Sequence, residues 1–164
     1  DNGGGWIGLH GAGDGSMSNW PWYRDNLIGA TFIGHTMGPQ SQNADVVVLD
    51  TDHPTAIDLP ARWSHFDEWD TFDRVPDTEL FTLLIGLDET TYAPVNKVVD
   101  RWPEDLSMSA QPSQHPIAWS RETERYRAVY SAIGHDLASY KDPHYRQWLI
   151  NAFEWVVGAP AKRK

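Results

Sequence analysis

The 164-residue sequence predicts one α/β domain in which helices flank an open, mostly parallel sheet. Three observations carry that expectation. Short apolar runs at residues 6–10 and 44–49 have the length and composition of buried strands. The first run passes through a glycine-rich turn into a helix-like segment, as strand–turn–helix units do. The chain closes on a capped amphipathic segment whose apolar stripe needs a sheet to cover.

Taken in order, Trp6-Ile7-Gly8-Leu9-His10 reads as a buried strand and residues 11–18 as a polar, glycine-rich turn. Residues 20–28 read as a helix, with Pro21 in the first turn and Gly29 after the end. The β-branched run Val46-Val47-Val48 suggests a strand at 44–49 buried on both faces. His53-Pro54 opens a short helical piece, and residues 79–85 form a third strand. Residues 88–113, rich in Pro, Ser and Asp, form a long surface excursion of the kind that carries function or moves. Residues 115–119 and 125–133 read as the next strands, the second placing Tyr126, Ala128, Tyr130 and Ala132 on one face. Asp142 then caps a helix with Pro143 at its first position. Trp148, Leu149, Ala152, Phe153 and Val156 recur at helical spacing up to Gly158.

Composition excludes several functions. The net charge of −10 (23 acids, 13 bases) repels phosphate backbones, and the only basic cluster is Lys162-Arg163-Lys164, so no nucleic-acid partner is expected. No apolar run approaches the roughly 20 residues that span a bilayer, so membrane insertion is not expected. The opening residues lack a basic stretch followed by an apolar one and do not read as a signal peptide. A soluble protein of cytoplasm or periplasm fits either way. Zero cysteines remove disulfides, thiolate metal sites and a cysteine nucleophile together. Of the nine tryptophans, about two in three are expected in the core, Trp20 and Trp22 among them, by the tendency of Trp to be mostly buried.

Four histidines fall at strand ends or turns: His10, His35, His115 and His135. Ligands of parallel sheets bind beyond the carboxyl ends of strands, so His10 and His135 are expected to share a rim. A histidine after a glycine also serves as a plain turn residue bonded to backbone, and both readings stand here. Gly8-Leu9-His10-Gly11-Ala12 has nucleophile-elbow spacing, with histidine where Ser or Cys normally sits. Imidazole there suits a general base, a donor to an oxyanion or a metal ligand rather than a covalent nucleophile. Asp14 either orients that imidazole or simply forms the turn. Asp67-Glu68, interleaved with aromatics in Trp63-Ser64-His65-Phe66-Asp67-Glu68-Trp69, suits sugar hydroxyls and ring faces, or else a solvated strand edge. Trp20 and Tyr23 form a second aromatic group beside the first turn. A divalent metal is compatible with these imidazoles and carboxylates, but no His-x-His or His-x-x-x-His spacing singles one out.

These blocks together resemble the ThuA-like (trehalose-utilisation) family. The residues that carry the likeness are Gly3-Gly4-Gly5-Trp6-Ile7-Gly8-Leu9-His10-Gly11-Ala12, Trp20-Pro21-Trp22-Tyr23 with Leu27 to Phe32 and Gly34-His35, His53-Pro54, and Asp67-Glu68-Trp69. Asp88-Glu89 with Tyr92, His115 to Trp119, Arg127 to His135, and Ser139 to Pro143 with Phe153-Glu154-Trp155 complete it. The resemblance implies a flavodoxin-like sheet akin to class I glutamine amidotransferases. It also implies a role in bacterial use of trehalose and related disaccharides through keto-sugar intermediates. Glutamine hydrolysis is not implied, because His10 stands where those relatives carry cysteine.

On this reading His10, Asp14, Glu68 and His135 are the catalytic candidates of a sugar hydrolase, lyase or isomerase. Trp20, Tyr23, His35, Asp67 and His115 are the candidates for holding the sugar or keto-sugar. A non-catalytic sugar-binding or sensing domain, or an inactive partial domain, are the alternatives. Residues 1–158 would be the C-terminal two-thirds of the family domain and 159–164 a basic tail. Family members carry further strands before the glycine run. Without them the strand at 6–10 would be a bare edge, covered by a homodimer partner or another chain.

Overall fold

A computed structural model describes residues 4–108 and 115–158. The expected tail at 159–164, residues 1–3 of the glycine run and the last part of the expected excursion lie outside the described residues. In chain order the strands are β1 (Gly5–Leu9), β2 (Phe32–His35), β3 (Ser41–Val48), β4 (Arg62–Glu68), β5 (Asp70–Phe72), β6 (Thr82–Asp88), β7 (His115–Glu122) and β8 (Arg127–Ser131). A short helix α1 (Pro21–Tyr23) and the closing helix α2 (Pro143–Val156) complete the frame.

Six strands form one sheet in the order β1-β8-β7-β6-β3-β4, and β2 pairs separately with β5. Only β1–β8 is parallel. The other pairings in the sheet are antiparallel, which corrects the expectation of a mostly parallel sheet. The misleading signal was the valine run: in β3 only Ala44 and Val46 are buried, and their neighbours are half-buried, so one face is covered rather than two. A tight turn between Glu122 and Arg127, closed by Thr123 and Tyr126, also returns β8 antiparallel to β7.

The rim argument survives. Propagating the pairings across the sheet, β1, β8, β6 and β4 all run the same way, so their carboxyl ends gather at one edge. The β3–β4 pair is registered over residues 41–47 of β3, whereas β6 meets only 45–48. The pair therefore projects past β6 at that rim and brings the end of β4 over it.

Other boundaries moved. The turn at 11–18 is a 3-10 helix, His10–Met17, and the helix expected at 20–28 divides into α1 and a π-helical turn, Arg24–Ile28. The third strand begins and ends three residues later than expected, as β6. Five tryptophans are buried (Trp63, Trp69, Trp119, Trp148 and Trp155), but Trp20 and Trp22 are exposed and stacked on each other rather than buried. The preceding 3-10 helix ends at Met17, and Pro21 starts α1 on the outside of the turn, so their rings pack along the surface.

In α2, Asp142 accepts hydrogen bonds from the backbone N–H of His144 and Tyr145, a cap that contributes about 1 kcal/mol. Tyr145, Trp148, Ala152, Trp155 and Val156 form its buried stripe, while Phe153 points to solvent. The helix is anchored at both ends: the Tyr145 hydroxyl donates to the Ile133 carbonyl at 2.7 Å, and Asn151 donates to the carbonyls of Thr55 and Ile57. β1 has β8 on one side and no strand on the other among the described residues.

Candidate active site

His10 directly follows β1 and opens the 3-10 helix. Its φ of 42° lies in the left-handed region that residues with a Cβ seldom occupy. This is the sharp turn that the elbow spacing requires, and its cost, on the order of 1–3 kcal/mol, is sustained only where the surroundings enforce it. They do. The His10 Nδ1 lies 3.0 Å from the Ala132 carbonyl, and the Tyr130 hydroxyl donates to the His10 carbonyl at 3.0 Å. A carbonyl oxygen only accepts, so Nδ1 carries the proton and Nε2 faces the rim.

His135 arrives from the other side, three residues after Ala132 at the end of β8. Its Nδ1 lies 3.2 Å from the His10 Nε2, with the rings in a T-shaped arrangement. Glu68, the last residue of β4, completes the group: its Oε1 is 3.4 Å from the His10 Nε2 and 3.5 Å from the His135 Nδ1. Its Oε2 accepts from the Gln40 side chain and lies 3.3 Å from the His35 Nδ1. One carboxylate from the far edge strand thus meets two histidines from the ends of β1 and β8.

Asp70 lies behind them. It is buried, with its Oδ2 3.8 Å from the His10 Nδ1 and 3.3 Å from the Tyr130 hydroxyl. Burial pushes the Asp70 carboxyl up to about 8, because a charge there is poorly solvated and faces other acids. For His10, burial alone would lower the pKa. The Glu68 contact, the Asp70 charge and the Ala132 carbonyl outweigh it and leave His10 raised to about 9. Glu68 is lowered: burial opposes its charge, but His10, Gln40 and the nearby imidazoles more than offset that. The neutral-pH pattern is an imidazolium facing a carboxylate, with a second carboxyl held partly protonated behind them.

The groups open into a cleft of about 740 Å³. His10, Asp14, His35, Glu68 and His135 line it, and burial raises the Asp14 carboxyl. Met17, Phe32 and Trp102 supply its apolar wall.

The other expected ligand-holding residues are elsewhere. Trp20 is on the surface against Trp22 and Tyr23. Tyr23 spends its hydroxyl on the Ala12 carbonyl. Asp67 is fully buried and accepts from the backbone N–H groups of Glu68, Gly134 and Asp136 and from the Ser139 hydroxyl. His115 is buried between Glu89, Tyr92 and the Asp70 carbonyl. These last two build the site from behind.

Among the cleft residues that carry no signal in the sequence are Asp70, Gln40 and Trp102. Trp102 comes from the long excursion, which is tied together by its own hydrogen bonds within 88–108. There Asn96 accepts from the N–H of Val98 and Val99 and donates to the Val99 carbonyl. Trp102 meets the His35 ring edge-on at 4.4 Å, so the excursion forms one wall of the cleft. Among the described residues, His10, Glu68 and His135 form a group whose ligand atoms could surround a metal ion.

The profile of the family described as "ThuA: Trehalose utilisation" matches residues 1–156. A ThuA-like protein from Bacteroides uniformis ATCC 8492 superposes with a TM-score of 0.76 at 30% identity, covering 95% of this chain and 59% of that one. A second, from Parabacteroides merdae ATCC 43184, superposes with a TM-score of 0.64 at 16% identity, covering 99% and 63%, and supports the fold alone. The chain therefore spans less than two thirds of either structure. No curated protein matches it.

Proposed function

The chain belongs to the ThuA, trehalose-utilisation, family, and from that premise we propose that its cleft takes a disaccharide or keto-sugar and catalyses proton transfer on it. The observation that supports this reading most is the meeting of His10, Glu68 and His135 within 3.5 Å at the cleft floor. Families of fold relatives host many chemistries, so the argument rests on these side chains rather than on the sheet.

The chemistry suits a sugar carbonyl. An electrophile at His10 Nε2 draws charge onto a carbonyl or leaving-group oxygen, and an ionised carboxylate beside it accepts a proton from the neighbouring carbon or hydroxyl. His10, held protonated near neutrality, fits the first role, and Glu68 the second. His135, half-exposed at the mouth, is placed to pass the proton to solvent. The cleft volume falls in the range of about 300–1,000 Å³ typical of small-molecule sites, and Trp102 offers an aromatic surface for the C–H groups of a pyranose. The left-handed backbone at His10 supports kinship with the amidotransferase-like elbow, with imidazole replacing thiol.

Calorimetry and product analysis with trehalose, other disaccharides and their 3-keto forms test the proposal. Wild-type binding and turnover that both vanish in a folded His10→Ala variant support it. Binding without product retains sugar recognition and removes catalysis. Unchanged turnover in His10→Ala removes the assignment.

A further inference from the structure

The three atoms at the cleft floor are nearly equidistant. His10 Nε2 to His135 Nδ1 is 3.2 Å, His10 Nε2 to Glu68 Oε1 is 3.4 Å, and His135 Nδ1 to Glu68 Oε1 is 3.5 Å. One N–H can serve two acceptors, but no placement of protons makes all three contacts hydrogen bonds: every choice leaves either two N–H groups or two lone pairs facing each other. A tetrahedral ion with bonds of about 2.0–2.2 Å to N and O holds its ligand atoms about 3.3–3.6 Å apart. The observed triangle has the size of one face of that tetrahedron.

We propose that His10 Nε2, Glu68 Oε1 and His135 Nδ1 bind one divalent transition-metal ion of the zinc class, leaving a fourth position open to the cleft. The inference rests on the site proposed above and changes its electrophile from a proton to a metal ion.

Supporting groups already surround the trio in the way metal ligands need. The His10 Nδ1–H donates to the Ala132 carbonyl, which fixes the tautomer that leaves Nε2 free as a ligand. Glu68 Oε2 is occupied by Gln40 and His35, so Oε1 is the oxygen left for the ion. The loop carrying His135 is pinned on both flanks by Asp67. Two imidazoles and one carboxylate are the donor set of catalytic rather than structural zinc sites, which keep a position for water or substrate. The trio lines the same cleft as Trp102, where a sugar carbonyl or a vicinal hydroxyl would take that position.

The test uses the full chain after dialysis against a chelator. Zn²⁺ is titrated by calorimetry, and Co²⁺ by visible absorption, whose intensity separates four- from six-coordinate geometry. One equivalent of tight binding and a four-coordinate Co²⁺ spectrum are expected. Glu68→Gln and His135→Ala should weaken binding by more than the roughly 10–100-fold typical of an outer-shell change, Gln40→Ala by about that amount, and His144→Ala not at all. Absence of stoichiometric uptake by folded protein, or full affinity in both Glu68→Gln and His135→Ala, overturns the metal site. Sugar calorimetry on the chelated protein separates the two claims. Metal uptake without sugar binding removes the sugar reading alone, and sugar turnover by metal-free protein that takes up no ion removes the metal alone.

Discussion

Asp67 holds the backbone on both sides of His135. The buried Asp67 carboxylate accepts hydrogen bonds from the backbone N–H of Gly134 at 2.8 Å and of Asp136 at 3.0 Å, the two residues that flank the histidine. Gly134 has a φ of 131°, and a Cβ there would lie 2.5 Å from the Tyr140 hydroxyl, so the loop has little room to shift. A side chain expected to hold a ligand is therefore a backbone clamp for a residue that lines the cleft.

Asp67→Asn replaces one acceptor oxygen by a donor aimed at N–H or O–H groups. At least one buried donor loses its partner, at a cost of about 1–3 kcal/mol. Denaturant unfolding should show that loss. If Asp67 acts through His135, kcat should fall more than KM rises, and the crystal structure of the variant should show His135 displaced. An undisturbed His135 with normal kcat would reduce Asp67 to a stability residue.

Gly13 permits a second close approach. A Cβ at this position would sit 2.3 Å from the Tyr130 hydroxyl and 3.2 Å from the Phe72 ring. Tyr130 is fully buried and its hydroxyl holds both His10 and Asp70, so it cannot swing aside cheaply. Gly13→Ala should destabilise by about 1–3 kcal/mol, as overpacking does, and lower turnover with it. Adding Tyr130→Phe removes the nearest atom and should recover part of the stability but none of the activity. A double-mutant cycle measures the coupling.

The parts of the fold legible from sequence are those with local signals. The β1 run, its elbow, the alternation in β8 and the Asp142–Pro143 cap each depend on neighbours in the chain, and each is present. β2 and β5 carry no local signal, and β4 is legible only as the alternative of a solvated strand edge. β4 alternates correctly, with Trp63, His65 and Asp67 inward and Arg62, Ser64 and Phe66 outward. Two of its inward residues are polar and one outward residue is aromatic, so the pattern reads as a mixed polar segment. Most partners of the inward polar groups are distant in the chain: His65 meets Ser139, and Asp67 meets Ser139 and the loop after β8. The same holds at the site. His10 and His135 were legible because strand ends share a rim. Asp70 was not, because its burial depends on Tyr130 and His115 from other strands.

His53 makes the fold acid-sensitive far from the cleft. Its Nδ1 accepts from the Thr55 N–H and lies 2.9 Å from the Thr55 hydroxyl, capping the 3-10 turn against which Asn151 anchors α2. Burial lowers its pKa below the ordinary 6.5, with Asp50 and Glu122 opposing only in part. A depressed histidine contributes stability that is present above pH 6.5 and is lost as pH falls through the folded-state value. His65, likewise lowered by burial, adds to the same slope. Thermal unfolding between pH 7.5 and 4.5 should show the wild-type Tm losing ground, as pH falls, to that of a variant without this imidazole, a difference in which groups of opposite sign common to both proteins cancel. His53→Asn, which keeps a capping oxygen, is that variant. A difference that stays constant across the range would assign the slope to other groups.

Asp70 has the opposite sign. Its carboxyl is raised from 3.8 to about 8 by burial, so the folded state holds a proton that the unfolded chain releases. In metal-free protein, the contribution of Asp70 is therefore most favourable below pH 4 and becomes steadily worse as pH rises toward 8. Asp70→Asn keeps the shape and cannot ionise. It should be more stable than wild type at pH 8, with the advantage shrinking toward pH 4. It also removes a charge 3.8 Å from the His10 Nδ1, so NMR titration should find the His10 imidazole below its wild-type value of about 9. Turnover should fall in the variant even as Tm rises, because a carboxyl that weakens the fold would then be held in place by its work on His10. A variant that is both more stable and fully active would show that Asp70 supports neither His10 nor the reaction.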